Sequence, residues 1–271
     1  MNVRFSRPIA LGFASMAVAL LSAGAGRGFE PPRAKPLKAL LVTGGCCHDY
    51  DKQKTILAEG VSKRANVEWT VVQEGGNSMN HKVSIYNDPN WADGYDVVVH
   101  NECFSEVADP AFIKNVTGAH EKGKPAVLVH CAMHTFRDLK SDDYREFIGV
   151  STRSHGPQHP LDVKNLQPEH PIMKGFPASW TTGKEELYAI SKVWPGTTPL
   201  AQAYAPDDKQ DHAVIWVHEY GRGKVFGTTL AHNDATMSDP VYLDMFTRGL
   251  LWSCGKLGGD GRPISGLGKG E

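Results

Sequence analysis

Residues 38–50 read KALLVTGGCCHDY and contain the clearest indication of the fold. Lys38 to Thr43 is a short apolar run without polar alternation, which predicts a strand covered on both faces in a parallel sheet. Gly44 and Gly45 end the run, and residues 51–65 then place apolar side chains at a helical spacing. The stretch therefore predicts a strand, a loop and a helix in succession, which is the repeating unit of an α/β protein.

The same alternation continues outward from this unit. The apolar runs predict further strands, a helix that begins near Asp109 and Pro110, and a closing apolar helix. A glycine turn at Gly221 and Gly223 joins two apolar runs and predicts a hairpin. We therefore predict one α/β domain over residues 38–255, with a mostly parallel sheet, helices on both faces and a C-terminal hairpin. The predicted strands are 67–72, 95–100, 126–130, 185–190, 199–205 and the two halves of 213–230; the predicted helices are 108–122, 143–148 and 241–254.

The two ends of the chain differ from this domain. Residues 1–25 combine two early arginines, an apolar run and an Ala-Gly-Ala cleavage site, which predicts a signal peptide and an exported, periplasmic or extracellular protein. The run of 13 residues is too short for a stable membrane span after cleavage. A Pro-rich linker over 26–37 follows the signal, and the Gly-rich residues 256–271 predict a disordered tail.

Composition excludes several functions. Lys and Arg number 29 against 30 Asp and Glu, so the net charge of −1 gives no field that would hold a nucleic acid. Removal of the two arginines of the signal leaves 27 basic and 30 acidic residues, a charge of −3. No phosphate-binding glycine pattern is present, so we expect no nucleotide. The oligomeric state stays open, a homo-oligomer included.

Reactive side chains follow four of the predicted strands. In an open parallel sheet, ligands bind beyond the carboxyl ends of the strands. Each of these four ends carries at least one histidine, so we expect them to meet in a shared site. The residues are Cys46, Cys47, His48 and Asp49 after the first strand; His100, Asn101, Glu102 and Cys103 after the third; His130, Cys131 and His134 after the fourth; and His232, Asn233 and Asp234 after the hairpin.

The sequence resembles the ThuA-like (trehalose-utilisation) family across residues 38–254. The resemblance rests on blocks in the expected order: LLVTGGCCHDY at 40–50, YDVVV at 95–99, HCAMHTF at 130–136, HPIMKGF at 170–176, EELY at 185–188 and VHEYGRGKVFGTTLAH at 217–232. It implies a flavodoxin-like, class I glutamine-amidotransferase-like fold. It also implies a role in carbohydrate use, in particular on oxidised (3-keto) sugars, so a carbohydrate small molecule is the expected partner.

The amidotransferase-like fold implies one candidate chemistry, a hydrolase with Cys131 as nucleophile. His232 would then be the base and Asp234 its orienting acid. Such a nucleophile stands on a sharp turn flanked by small residues, whereas Val129 and Met133 occupy those positions here. Five cysteines leave at least one unpaired, and a bridge between the adjacent Cys46 and Cys47 would be strained. We expect the cysteines to be small buried thiols.

Histidine chemistry is the preferred alternative. We predict that His48, His134 and His232 hold a divalent transition metal such as Zn²⁺, or that the same residues work without metal as acids and bases beside a sugar carbonyl. In either case His134, His232 and Glu102 are the predicted catalytic residues. Cys131 joins them under the hydrolase hypothesis. A non-catalytic sugar-binding module remains the other alternative. The predicted substrate contacts are Asn101, His130, His155, Asp234 and Glu186.

Overall fold

A nine-stranded sheet forms the centre of the computed structural model, which describes residues 35–268. The strands of this sheet are β1 (Leu37–Gly45), β2 (Val67–Gln73), β3 (Val97–Cys103), β4 (Ala126–Val129), β6 (His159–Asn165), β7 (Ser179–Glu185), β9 (Thr197–Ala205), β10 (Gln210–Tyr220) and β11 (Gly223–Thr228). A separate pair consists of β5 (Val150–His155) and β8 (Tyr188–Val193). The helices are α1 (Tyr50–Ser62), α2 (Pro110–Glu121), α3 (Asp143–Ile148), α4 (Asp234–Ser238) and α5 (Pro240–Ser253).

The sheet has a parallel half and an antiparallel half, in the order β2-β1-β3-β4-β11-β10-β9-β6-β7. Neighbours from β2 to β11 pair in parallel, and β10, β9, β6 and β7 continue the sheet by antiparallel pairing. The predicted α/β fold and the β10–β11 hairpin are confirmed. The prediction of one strand over 185–190 is wrong, because these residues span the end of β7 and the start of β8, which lie in different sheets.

Helices cover both faces of the parallel half. Successive side chains of β1 point to opposite faces of the sheet, and they are buried on both. Ala39 and Leu41 face one apolar core together with α1 and α5, whereas Leu40 and Val42 face a second core together with α2 and α3. All four side chains are fully buried. The sheet is therefore fixed on both faces, and the carboxyl ends of β1, β3, β4 and β11 point towards one edge.

The C-terminal segment differs from its prediction as a disordered tail. Residues 256–268 pack on the domain: Leu267 is buried in the first core, and its carbonyl accepts a hydrogen bond from the Asn66 N–H. The burial of Leu267 and the hydrogen bond of its carbonyl hold this segment on the domain in spite of its high glycine content. The predicted signal peptide and most of the linker lie outside the described residues, as do residues 269–271. Within residues 35–268, no helix is long and apolar enough to cross a membrane.

Candidate functional site

Three imidazoles meet at the carboxyl edge of the parallel strands. His48 follows β1, His130 follows β4 and His232 follows β11. One ring nitrogen of each lies within 4.8 Å of one nitrogen of the others. Nitrogens bound to one tetrahedral zinc lie about 3.3 Å apart, so small side-chain movements would bring this group, called here the imidazole cluster, onto one ion. The predicted shared histidine site at this edge therefore has a structural counterpart, with His130 in place of His134.

His130 occupies the sharp turn that ends β4. Its φ of 41° places it in the left-handed region, one of five non-glycine residues with positive φ in residues 35–268. In the amidotransferase-like fold this turn is where a nucleophile is expected, and Cys131 is the nucleophile that the sequence predicts. The strained position belongs to the histidine instead, so the ring of His130 is the group that the turn directs into the site.

Backbone carbonyls fix the tautomers of two of the three rings. His48 Nδ1 lies 3.1 Å from the His232 carbonyl oxygen, and His130 Nδ1 lies 2.6 Å from that of Thr229. A carbonyl only accepts, so each Nδ1 carries the proton and each Nε2 offers a lone pair. Metal-bound histidines are held in this way, with the second ring nitrogen donating to a carbonyl or carboxylate.

Glu186 joins the imidazole cluster from the loop between β7 and β8. Its Oε2 lies 3.4 Å from His232 Nδ1, 3.5 Å from His130 Nε2 and 3.5 Å from His155 Nε2. The two predicted substrate contacts Glu186 and His155 thus lie directly at the cluster. Gln158, which the sequence did not single out, contacts His232 Nε2 at 2.9 Å. No sequence signal distinguishes this glutamine, because it comes from a Pro-rich loop with no catalytic spacing.

Electrostatics separate the roles of these groups. Burial, with the neighbouring His130 and His232, lowers the pKa of His48 to about 3, so this ring is a weak proton base and stays neutral, with its lone pair free for a metal. The hydrogen bond and charge of Glu186 raise the pKa of His232. Burial raises the pKa of Glu186, but the neighbouring rings of His130 and His232 bring it well below its ordinary value. The negatively charged carboxylate of Glu186 therefore lies beside ring nitrogens of His130 and His232.

His134 lies beside this cluster rather than in it. Its ring stacks flat on Tyr188 with 4.1 Å between centroids, and its Nε2 lies 3.3 Å from Thr152 Oγ1. Burial, followed by the charge of Arg137, lowers the pKa of His134 to about 3, which makes it a weak base. The predicted set of metal ligands is therefore corrected: His130 replaces His134, whose ring packs on Tyr188 and lines the cavity.

Three other predicted residues lie away from the imidazole cluster. Glu102 is fully buried and binds Tyr86 and His100, so it belongs to an internal polar network and not to the open edge. The Asn101 amide is also buried and bonds Thr43 and Gln53. Asp234 begins α4 and lies 3.6 Å from the Lys52 ammonium. The alternation of β3 accounts for the first two, since its last residues point into the two faces of the sheet.

The cysteines are not the small free thiols that were expected. Cys46 is bridged to Cys47, and Cys103 to Cys131; Cys254 alone is free among residues 35–268. A bridged Cys131 has no thiolate, and the turn presents His130, so two observations argue against the predicted Cys131 nucleophile.

A cavity of about 230 Å³ lies at this edge. Its lining consists of the four bridged cysteines together with Met79, His48, Ser105, His134, Arg137, His155, Glu186 and Tyr188.

The sequence matches the family described as trehalose utilisation, ThuA, over residues 38–253. The comparison with curated proteins returns no match.

Solved structures share the fold at low sequence identity. A ThuA-like protein from Parabacteroides merdae is 20% identical, with a TM-score of 0.65 over 82% of this chain and 92% of that one. A ThuA-like protein from Bacteroides uniformis is 14% identical, with a TM-score of 0.61 over 83% and 96%. A GMP synthase protein from Thermoplasma acidophilum is 15% identical, with a TM-score of 0.53 over 82% and 96%. The last supports the amidotransferase-like architecture.

Proposed function

The chain belongs to the ThuA family, whose description links it to carbohydrate use, and from this premise we propose that it acts on an oxidised (3-keto) sugar or glycoside by metal-assisted acid/base chemistry. The observation that carries the proposal is the convergence of His48, His130 and His232, two of them with tautomers fixed by backbone carbonyls. The predicted signal at residues 1–25 adds the proposal that the protein is exported.

The donor set of the imidazole cluster fits a divalent transition metal such as Zn²⁺. Neutral imidazole nitrogens are its common ligands, and the low pKa of His48 keeps that ring unprotonated. In the metal-free protein, Gln158 Nε2 donates to His232 Nε2 at 2.9 Å and to Glu186 Oε1 at 3.3 Å, so His232 carries its proton on Nδ1, which faces Glu186. A bound metal would take the Nδ1 lone pair of the other tautomer, with the proton on Nε2. Glu186 supplies negative charge beside the cation. A bound metal would act as a Lewis acid on a carbonyl oxygen.

A carbonyl at C3 of a sugar ring makes the hydrogen at C2 acidic, which is the chemistry that the neighbouring groups suit. His155 lies at the mouth of the cleft, and its Nδ1 lies 2.9 Å from the Gly156 carbonyl oxygen, so its Nε2 holds the lone pair that can take that proton. Glu186 Oε2, 3.5 Å from Nε2, then stabilises the imidazolium. The electron pair of the C2–H bond forms a C1–C2 double bond, the C1–O bond breaks, and the departing oxygen takes a proton from the imidazolium or from water. His134 and Tyr188, which stack on each other, line the cavity beside this group.

A metal-free form of the same chemistry is the second candidate, and one observation favours it. The charge and hydrogen bond of Glu186 raise the pKa of His232, as expected of an imidazole and carboxylate pair that moves protons.

Elemental analysis of the untagged protein tests the metal. With the disulfides left intact, we expect about one equivalent of a transition metal in the wild type and in the control His81→Gln, whose ring pairs with Glu74 outside the cluster. His130→Gln and His48→Gln should lose it while keeping the wild-type circular dichroism. No metal in the wild type after incubation with Zn²⁺, Mn²⁺ or Ni²⁺ contradicts the metal-assisted form.

Turnover is tested with an aryl 3-keto-glucoside and its unoxidised parent. We expect release of the aryl group from the keto substrate only, and a loss of about 100-fold or more in His155→Gln. Saturable binding of the keto sugar without release would instead identify a sugar-binding module. Equal turnover in His155→Gln and the wild type would refute the assigned base.

A further inference from the structure

Five sulfur-containing side chains surround one cavity beside the imidazole cluster. Cys46, Cys47, Cys103, Cys131 and the thioether of Met79 all line it. We call this group the five-sulfur pocket. None of these five takes part in the proposed sugar chemistry, and four of the five cysteines of the chain are found here.

The pocket results from strand order and one glycine. Cys46 and Cys47 follow β1, Cys103 ends β3 and Cys131 follows β4, and these three strands are neighbours in the sheet. A Cβ on Gly45 would lie 2.8 Å from the Cys103 carbonyl carbon, so only glycine lets the turn after β1 lie against β3. As a result, the sulfur atoms of Cys46, Cys47 and Cys103 lie within 4.8 Å of one another.

The two bridges differ in their access to solvent. Cys47 is exposed and Cys46 half-buried, whereas Cys103 and Cys131 are 3% and 6% exposed. An external dithiol can therefore reach the Cys46–Cys47 bridge directly. A thiolate released there lies within 4.8 Å of Cys103 Sγ and can attack the buried bridge by thiol–disulfide exchange. Reduction of the inner bridge thus needs no opening of the fold.

We propose that the five-sulfur pocket, once reduced by a dithiol, binds a soft monovalent cation of the Cu(I) class. Each bridge takes up two electrons and two protons from one dithiol, which leaves as a disulfide, and four thiols result. Cu(I) then binds to sulfur with release of the thiol protons, and its oxidation state does not change. This second site is distinct from the imidazole cluster, of which only His48 lines the same cavity.

The choice of cation follows from the ligand type. Thiolate and thioether sulfur select Cu(I), whereas structural zinc sites use cysteine and histidine without thioether. Met79 is exposed and lines the cavity together with the four cysteines, so its thioether is the further ligand that the proposal assigns to a soft ion. The imidazole and carboxylate groups around His48 and Glu186 form the other part of the lining, where a harder divalent ion is suited.

Competition with a chromophoric Cu(I) chelator tests the pocket. The full-length protein is reduced with dithiothreitol, freed of reductant without oxygen and titrated with Cu(I) against bicinchoninate. We expect about one equivalent to move to the reduced wild type and none to the oxidised protein. Cys103→Ser should weaken binding by more than about 100-fold, because a lost ligand costs more than the 10–100-fold of a lost outer partner. Cys254→Ser is the matched control, since its thiol lies outside the pocket, and should bind like the wild type.

Two results would overturn the proposal. One is a reduced wild type that leaves all the Cu(I) with the chelator; the other is equal binding by Cys103→Ser and Cys254→Ser. Met79→Leu keeps the shape of the side chain and removes the sulfur. We expect this variant to bind Cu(I) more weakly, while its four thiols still react with a thiol reagent. An unchanged affinity for Cu(I) would remove the thioether from the proposed ligand set. His48→Gln should retain Cu(I) and lose the divalent metal, so failure of either site is distinguishable from failure of the other.

Discussion

The substitution Gly45→Ala probes the close approach that brings the turn after β1 onto β3. Gly45 has φ of 100°, and an alanine there adds about 1–2 kcal/mol of backbone strain. Its Cβ would also lie 2.8 Å from the Cys103 carbonyl carbon, and closer still to the carbonyl oxygen. Relief of such a backbone contact requires a shift that costs about 1–3 kcal/mol. The free energy of unfolding should therefore fall by about 2–5 kcal/mol in total.

Urea unfolding followed by circular dichroism measures this loss, and Gly94→Ala is the matched control. Gly94 also has a positive φ, 82°, but a Cβ there meets no atom within 4 Å. The control should lose only the strain of about 1–2 kcal/mol. If the two variants unfold at the same urea concentration, the turn does not lie against Cys103 and the derived placement of Cys46, Cys47 and His48 is refuted. If Gly45→Ala loses more, it should also lose metal from the imidazole cluster.

Three further outcomes follow from burial and charge. In the metal-free protein, Glu186→Gln should lower the free energy of unfolding most between about pH 4.5 and 6.5, as urea titration would measure. The lowered pKa of Glu186 contributes stability that is lost as the pH falls, and the raised pKa of His232 contributes stability that is lost as the pH rises. Leu267→Ala should cost about 2–4 kcal/mol in the same assay and the exposed Ile264→Ala less than about 0.5; equal effects would return the segment to a disordered tail. Burial raises the pKa of the Cys254 thiol to about 12, so iodoacetamide at pH 7.5 should alkylate it only after unfolding, as mass spectrometry would show.

The local pattern of the sequence was enough for the parallel half of the fold. The apolar run of β1, the two glycines after it and the helical spacing of α1 each depend on neighbours within a few residues. Parallel strands then place their carboxyl ends at one edge, so a histidine site at that edge could be predicted without coordinates. His48 and His232 lie at this edge because each follows the end of a strand.

The tertiary structure alone decided which side chains share the site. His130 and His134 are four residues apart and both follow β4, yet a positive φ turns the first into the imidazole cluster and stacking on Tyr188 holds the second aside. Glu186 and Gln158 come from loops whose positions depend on the antiparallel half of the sheet. Side-chain direction at a strand end is set by backbone torsion and by packing against residues distant in sequence, and no local spacing encodes either.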